Sequence, residues 1–298
     1  MNIKFALNVF LLLFLSLFIK AQTLVNVNDT AYLFAEGYKH GQIQWQQSDD
    51  SLSWTNISGA IENNYPLFPA FSAYFRAKVN SGTCNVLYSQ IVKIDLICFQ
   101  CGDSLVDERD GQKYPTVLIG TQCWFARNLN VGEKIDNGAQ SQTDNGIIEK
   151  YCYSNDASNC NFYGGLYTWN EMMQYDTLES SQGICPSGWH VPSDQEWIEL
   201  EMALGMDLGT ALLANIWRGT DQGTRLKVGG DTGYEALLAG SAIPGGYFSA
   251  INQYEYMYSS TWSGGNAWRR CVRIGDATVG RWNTFPQSYG LSVRCVKD

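Results

Sequence analysis

Nine cysteines in 298 residues constrain the fold of this chain more than any other feature of its sequence. They follow an N-terminal segment in which Lys4 precedes an apolar run over residues 5–19, and the small residue Ala21 comes just after it. The run is shorter than the roughly 20 residues that a membrane-spanning helix needs. We therefore predict a signal peptide over residues 1–21, with a retained N-terminal anchor as the alternative. Export to the periplasm, the cell surface or the medium would let the cysteines form structural disulfides.

Charge and histidine content exclude two classes of function. The formal net charge is −9, and loss of Lys4 and Lys20 with the signal peptide makes it −11. Because an acidic surface repels phosphate backbones, we predict that the protein does not bind nucleic acid. Only His40 and His190 are available, so a histidine-rich metal site is excluded. No segment after the signal peptide is apolar enough to predict a membrane span.

Residues 22–96 have the pattern of a small β-sandwich. The segments 42–46, 51–57 and 74–79 alternate polar and apolar residues, as half-buried strands do, and residues 91–94 form an apolar strand. Turn-forming residues separate these segments at short intervals. The sequence therefore predicts an all-β N-terminal domain.

This domain also resembles a known type of module. Residues 44–46, 74–77 and 81–84 resemble the strand motifs of immunoglobulin-like modules in bacterial surface proteins. The resemblance implies that Trp45 is buried between two sheets, and that Arg76 replaces the second cysteine of an inter-sheet disulfide. Such a module serves either as a spacer or as a binding module, and neither role involves catalysis.

The remainder of the chain, residues 105–298, is rich in tryptophan and contains few predicted helices. A capping box at Ser193 and Glu196 predicts a helix that Gly205 ends. Further helices are predicted over residues 166–174 and 209–217, and a closing strand over residues 290–297. Aromatic side chains this numerous bury large areas, so a firm core is expected despite many loops.

A series of motifs in fixed order gives this second domain a family resemblance. They occupy residues 107–114, 117–129, 163–169, 185–197, 244–247, 259–261 and 290–296. Together they resemble the Fibrobacter succinogenes major paralogous domain over residues 105–298. That family is similar to the C-type-lectin-like fold, in the branch shared with formylglycine-generating (sulfatase-modifying) enzymes. The resemblance implies an α+β domain with few helices and many loops, and it implies no particular activity.

The cysteines can be arranged in four structural pairs, with one thiol left over. A short cysteine-containing linker is predicted over residues 97–104, where Cys98 and Cys101 form a C-x-x-C that is alternatively redox-active or half of a zinc site. We predict the pairs Cys84–Cys98, Cys101–Cys123, Cys152–Cys160 and Cys185–Cys295. Cys271 then remains as a free, buried thiol.

No catalytic group, metal site or cofactor site emerges from the second domain. His190 is its only histidine and has no partner that the sequence positions, so a structural role is predicted. The related oxidase-like enzymes use a close pair of late cysteines, whereas Cys271 and Cys295 lie far apart in this chain. A calcium loop is possible at Asp107 and Asp110 but unsupported, because Arg109 lies between the two acids.

The remaining function is binding. Five residues of the loop-rich C-terminal region are candidates for a ligand surface, with burial in the core as the alternative for the tryptophans: Tyr247, Trp262, Trp268, Trp282 and Asn283. We predict an exported, non-enzymatic binding or adhesion-type protein that recognises a glycan or an envelope or host protein. The alternatives are an enzyme of the sulfatase-modifying-like class that uses Cys271, and a purely structural envelope component. The sequence does not indicate an oligomeric state.

Overall fold

The computed structural model of the chain describes residues 18–20, 24–26, 30–37, 40–82, 86–97 and 99–298. The chain divides into a first unit that ends at Phe99 and a second unit, Gln100–Asp298. The division falls within the predicted linker, residues 97–104. The end of this linker belongs to the second unit, because Ser104 begins a strand there.

The first unit is a layered β-structure. Its strands are β1 (Phe18–Lys20), β2 (Leu24–Asn26), β3 (Ala31–Glu36), β4 (Gln42–Ser48), β5 (Thr55–Asn56), β6 (Asn64–Leu67), β7 (Ala73–Asn80), β8 (Leu87–Tyr88) and β9 (Val92–Ile97). Strands β1, β3 and β6 form one sheet, and β2, β9, β7, β4 and β5 form another, in which β8 pairs with β7. Strand β1 lies inside the predicted signal peptide, so cleavage after Ala21 would leave β3 at the edge of its sheet.

The two sheets of the first unit share one hydrophobic core. Alternate residues of β3 are buried, as the period of two in a half-buried strand requires. Leu33 from the smaller sheet packs in one cluster with Trp45 and Phe75 from the larger sheet. The indole N–H of the fully buried Trp45 donates to the carbonyl of Glu62 at 2.8 Å, so its polar atom is satisfied.

The strand predicted over residues 51–57 is mostly wrong. Only Thr55–Asn56 is a strand, because a turn occupies the preceding residues. The Asp50 carboxylate accepts the backbone N–H groups of Leu52 and Ser53 at 2.8 and 2.7 Å, and Ser51 has a φ of +61°. An aspartate side chain that bonds its own following backbone favours a turn over an extended strand.

The second unit combines β-sheets with short helices. Its strands are β10 (Ser104–Val106), β11 (Lys113–Ile119), β12 (Gln122–Phe125), β13 (Glu133–Ile135), β14 (Glu149–Tyr151), β15 (Trp189–His190), β16 (Ile216–Arg218), β17 (Ser241–Ile243), β18 (Tyr247–Ser249), β19 (Tyr254–Ser263), β20 (Asn266–Arg273), β21 (Val279–Pro286) and β22 (Val296–Lys297). Its helices are α1 (Ala157–Tyr163), α2 (Trp169–Met172), α3 (Asp194–Ala203), α4 (Leu208–Leu212) and α5 (Gln222–Leu226), with a 3₁₀ turn at Tyr153–Asn155.

Two larger sheets organise this second unit. One has the strand order β10-β11-β12-β22-β15, and the other, which we call the four-stranded sheet, has the order β16-β21-β20-β19. The parallel pair β13/β14 and the hairpin β17/β18 add two small sheets. Helix α3 supplies Trp197 to a core cluster that also contains Trp124, Tyr234 and Met257, so the helix packs on both sheets.

The helix predicted from the capping box is confirmed. The Ser193 side chain accepts the Glu196 backbone N–H, and the Glu196 side chain accepts the Ser193 backbone N–H at 2.7 Å. Both local interactions satisfy N–H groups that a helix start leaves unpaired. The helix ends at Ala203, two residues before Gly205 with its φ of +92°.

The other two predicted helices are shorter than their sequence patterns indicate. Helix α2 has only four residues, because Leu166 and Tyr167 pair instead with Tyr151 and Leu291 in isolated bridges. Helix α4 ends before Trp217, which lies in strand β16 opposite Gly280. In both segments, pairing with distant strands overrides local propensity. The predicted closing strand is likewise reduced to β22.

Three predicted disulfides are confirmed. They join Cys101 to Cys123, Cys152 to Cys160 and Cys185 to Cys295. Cys271 is free and buried, as predicted. The predicted pair Cys84–Cys98 lies outside the described residues.

Helix α3 is held against the four-stranded sheet by a buried ion network. Arg270 donates to Asp194 at 2.5 Å and to Glu201 at 2.8 Å. Arg281 pairs with Asp194 at 2.6 Å, and Arg218 pairs with Glu201. Burial opposes ionisation of Asp194, but the guanidinium groups of Arg270 and Arg281 outweigh it and lower the pKa of that carboxyl. Asp194 therefore stays ionised at neutral pH.

Candidate functional site

A cleft with a volume of about 590 Å³ lies in the second unit. Four separate segments line it, together with Tyr151 and Gly265: residues 137–142, the α2 region from Thr168 to Tyr175, the β17/β18 turn, and residues 286–288. A volume of this size is typical of small-molecule sites. We call it the neutral cleft.

The lining of the neutral cleft carries no charged side chain. None of its residues is Asp, Glu, Lys, Arg or His, although the chain has 29 acidic and 20 basic residues. Exposed amide and hydroxyl groups are present instead, on Gln140, Ser141, Asn170 and Ser288. Such groups both donate and accept hydrogen bonds, so the cleft suits a polar ligand without charge.

Tyr175 reaches the cleft through an unusual backbone conformation. Gln174 and Tyr175 both have positive φ values, 51° and 61°, in the region that side-chain-bearing residues rarely occupy. Two hydrogen bonds hold the conformation: the Tyr175 N–H donates to the Asn170 carbonyl at 2.8 Å, and its hydroxyl donates to Glu171 at 2.9 Å. Strained backbone of this kind concentrates at functional sites, where the surrounding structure enforces it.

Glu171 holds the Tyr175 side chain in place at the cleft. Its side chain is fully buried, and its second oxygen accepts the backbone N–H of Glu149 at 2.8 Å. Burial raises the pKa of the Glu171 carboxyl above its ordinary value. The residue acts on the cleft through Tyr175 and does not line it.

The β17/β18 hairpin forms another wall. The Asn137 side-chain amide donates to the carbonyls of Ile243 and Tyr247, at 2.9 Å each, and so ties the hairpin to residues 137–142. Gly138 has a φ of +91°, and a Cβ there would lie 2.7 Å from the Cα of Gly246. Only glycine allows the two segments to approach this closely.

Two of the five predicted ligand residues lie on elements that border the cleft. Tyr247 is 70% exposed, and its ring lies near Gly245, which lines the cleft. Trp262 is 59% exposed and lies two residues before the β19/β20 turn that contains the lining residue Gly265. Neither side chain is among the lining residues.

The other three lie elsewhere in the unit. The Trp268 ring packs under the guanidinium of Arg281 at 3.9 Å. Trp282 contacts Trp217 in an edge-on arrangement, and the Asn283 side chain accepts from that of Asn215 at 3.0 Å. The structure therefore does not bring all five predicted residues into one site.

Cys271 is not activated as a thiolate, and no candidate metal cluster occurs among the described residues. Burial raises the pKa of the Cys271 thiol to about 12, so the group is protonated at neutral pH. No group of three or more His, Cys, Asp or Glu residues that could hold a metal ion occurs in the described ranges. None of the helices described there is long and apolar enough to span a membrane.

His190 has two partners that the sequence did not indicate. Its Nε2 lies 2.7 Å from Glu196 and its Nδ1 lies 2.7 Å from Asp298, so the imidazole links α3 to the last residue of the chain. Burial disfavours the charged imidazole, but the two carboxylates outweigh it and raise the pKa of His190. These two contacts are what a structural role of His190 would consist of.

This geometry predicts a pH dependence of stability. Because the folded-state pKa of His190 is raised above the unfolded value of about 6.5, its contribution is fully present below about pH 6.5 and is lost as pH rises through the folded-state pKa. We expect His190→Gln to lower the free energy of unfolding by about 1 kcal/mol at pH 6, and by less at pH 9. Urea denaturation at the two pH values measures this. His40→Gln is the control, and a pH-independent deficit in His190→Gln would contradict the assignment.

The fold and the site together define a β-rich, disulfide-bonded protein of two units whose second unit contains an uncharged, ligand-sized cleft. Residues 117–297 match the Fibrobacter succinogenes major domain, and residues 17–97 match a domain of unknown function, DUF8696. Because the first match covers more than half of the 298 residues, the chain belongs to the Fibrobacter succinogenes major domain family. No curated protein and no solved structure matches the chain.

Proposed function

We propose that this chain is an exported, non-enzymatic binding protein that recognises a neutral glycan in the neutral cleft. In this proposal the second unit is a C-type-lectin-like domain, and the first is an immunoglobulin-like spacer that presents it. The observation that carries the proposal is the uncharged cleft of about 590 Å³ with its exposed amides and hydroxyls.

The chemistry of the lining favours a sugar over other ligands. Sugar hydroxyls both donate and accept hydrogen bonds, and the amides of Gln140 and Asn170 offer both functions in a plane. A ligand carboxylate or phosphate would lose its hydration in the cleft without a lining cation to pair with, which is costly. The cleft therefore supports a neutral glycan more strongly than an acidic one.

Three further observations are compatible with the rest of the proposal. The three disulfides suit an oxidising compartment outside the cytosol. The raised pKa of buried Cys271 argues against a thiolate nucleophile, and so against the sulfatase-modifying-like alternative. The shared core of two β-sheets in the first unit suits an immunoglobulin-like module.

A side-chain truncation in the cleft tests the site. We expect Asn170→Ala to weaken binding of neutral oligosaccharides about tenfold, because it removes a donor and an acceptor from the lining. Isothermal titration of the exported protein with cello-, xylo-, manno- and malto-oligosaccharides measures the effect. Asn161→Ala, at another exposed asparagine, on α1, is the matched control. Equal affinities of the two variants would contradict the location of the site.

A further inference from the structure

Five aromatic side chains of the four-stranded sheet, together with Tyr289 just after β21, form a continuous series of ring contacts. Successive ring centroids are 5.0 Å apart for Trp282–Trp217, 6.4 Å for Trp217–Tyr254, 5.4 Å for Tyr254–Tyr256, 6.1 Å for Tyr256–Phe285 and 4.7 Å for Phe285–Tyr289. All six side chains are partly exposed. We call this set of six rings the aromatic strip.

The aromatic strip and the neutral cleft are continuous. Phe285 and Tyr289 belong to the strip, and the three residues between them, Pro286 to Ser288, line the cleft. A ligand that fills the cleft beside these residues therefore has the end of the strip next to it. The strip then leads away from the cleft toward Trp217, in the edge strand β16.

Gly280 leaves space for a large ring on the four-stranded sheet. Gly280 has no side chain, and a Cβ there would lie 1.6 Å from the Trp282 ring, so the glycine makes the space in which the indole lies. A glycine within a strand typically marks such a close approach.

Arg269 is enclosed by rings of the strip. The residue is 9% exposed, and its guanidinium lies 4.2, 4.9 and 5.1 Å from the rings of Phe285, Tyr256 and Trp282. Its Nε and Nη1 atoms have no hydrogen-bond partner among the described residues. Buried donors without acceptors are uncommon in proteins. Because both atoms are buried, the guanidinium is stabilised by cation–π contacts with the rings and not by a ligand on the surface.

We infer that the ligand is an extended neutral polysaccharide, of which one stretch occupies the neutral cleft while the adjoining sugar units lie along the aromatic strip. The inference rests on the proposed function and specifies its ligand as a polymer. Aromatic rings provide apolar contact area for sugar rings, and the strip extends this area from the edge of the cleft to Trp217. Arg273, the cation at the Trp217 end of the strip, is already paired with Asp276, so it does not require an acidic sugar as a counter-ion.

Chain length separates this inference from the proposed function. We expect affinity to rise from disaccharide to octasaccharide within the neutral series that binds, and Trp217→Ala to weaken octasaccharide binding about tenfold without changing disaccharide binding. Trp217→Phe should retain most of the octasaccharide affinity, because it keeps a ring in the strip. Trp54→Ala is the matched control: Trp54 is also half-buried beside an arginine, 4.1 Å from Arg76, but belongs to the first unit.

The measurement is isothermal titration of each variant with the di-, tetra- and octasaccharide, after thermal unfolding has verified the fold. If Trp217→Ala binds the octasaccharide as tightly as wild type does, the inference is wrong and binding in the cleft still stands. If affinity does not depend on chain length, the inference is likewise wrong. If no neutral oligosaccharide of any length binds, the proposed function and the inference are both wrong.

Discussion

Removal of the Cys185–Cys295 disulfide is expected to lower the free energy of unfolding of the second unit by about 5 kcal/mol. The two cysteines are 110 residues apart, and the loop-closure entropy that a crosslink removes from the unfolded chain grows with the length of the closed loop. The Cys152–Cys160 disulfide closes a loop of only 8 residues. Loop-closure entropy therefore predicts that its removal lowers the free energy of unfolding by only about 2.5 kcal/mol.

The shorter disulfide provides the control for this prediction, because all four cysteines are buried and the substitutions are the same. Urea unfolding of the double variants Cys185→Ala/Cys295→Ala and Cys152→Ala/Cys160→Ala compares them directly. Tryptophan fluorescence reports mainly on the second unit, which holds eight of the ten tryptophans. Equal losses in the two variants would show that loop closure does not explain the contribution of Cys185–Cys295.

Disruption of the ion network beneath α3 is expected to have the second large effect. Arg270→Met should cost about 3 kcal/mol, because it leaves the buried Oε1 atom of Glu201 without a hydrogen-bond donor and removes the link between Glu201 and Asp194. Arg270 is fully buried and Glu201 is 0% exposed, so solvent screens little of this interaction. The remaining arginines, Arg218 and Arg281, also donate to backbone carbonyls of α4, so they cannot replace all the hydrogen bonds that Arg270 makes.

An exposed ion pair gives the matched comparison. Arg225→Met removes the partner of Asp231, which is 64% exposed, and should destabilise the protein much less than Arg270→Met does, because solvent screens the pair. Both variants are compared by the urea midpoint, with an unchanged slope required for a two-state interpretation. A loss in Arg270→Met no larger than that in Arg225→Met would mean that the network does not hold α3 to the sheet.

The sequence predicts those parts of the fold that depend on local interactions. Helix α3 is an example, since its capping box and stop signal lie within the helix and its flanks. Trp217 shows the limit: its segment has a helical pattern, yet pairing with Gly280, more than sixty residues away, makes it a strand. Distant pairing of this kind leaves no local trace in a single sequence.

The candidate site is even less accessible from the sequence. The neutral cleft joins four segments that are far apart in the chain, and Tyr175 reaches it only through two residues with positive φ. The turn residues Asn137-Gly138 and Pro244-Gly245-Gly246 were the available signals, because their close approach builds one wall. Tyr247 was predicted from exposed aromatic character and lies on the hairpin that borders the cleft without lining it, whereas Trp268 packs under Arg281.

A glycan array probed with the purified protein tests the central claim most directly. The array should carry neutral polysaccharide fragments beside acidic fragments of similar backbone and length. The uncharged lining of the cleft predicts binding that is confined to the neutral series. Binding only to the acidic series, or a blank array, would contradict the claim that this protein recognises a neutral glycan.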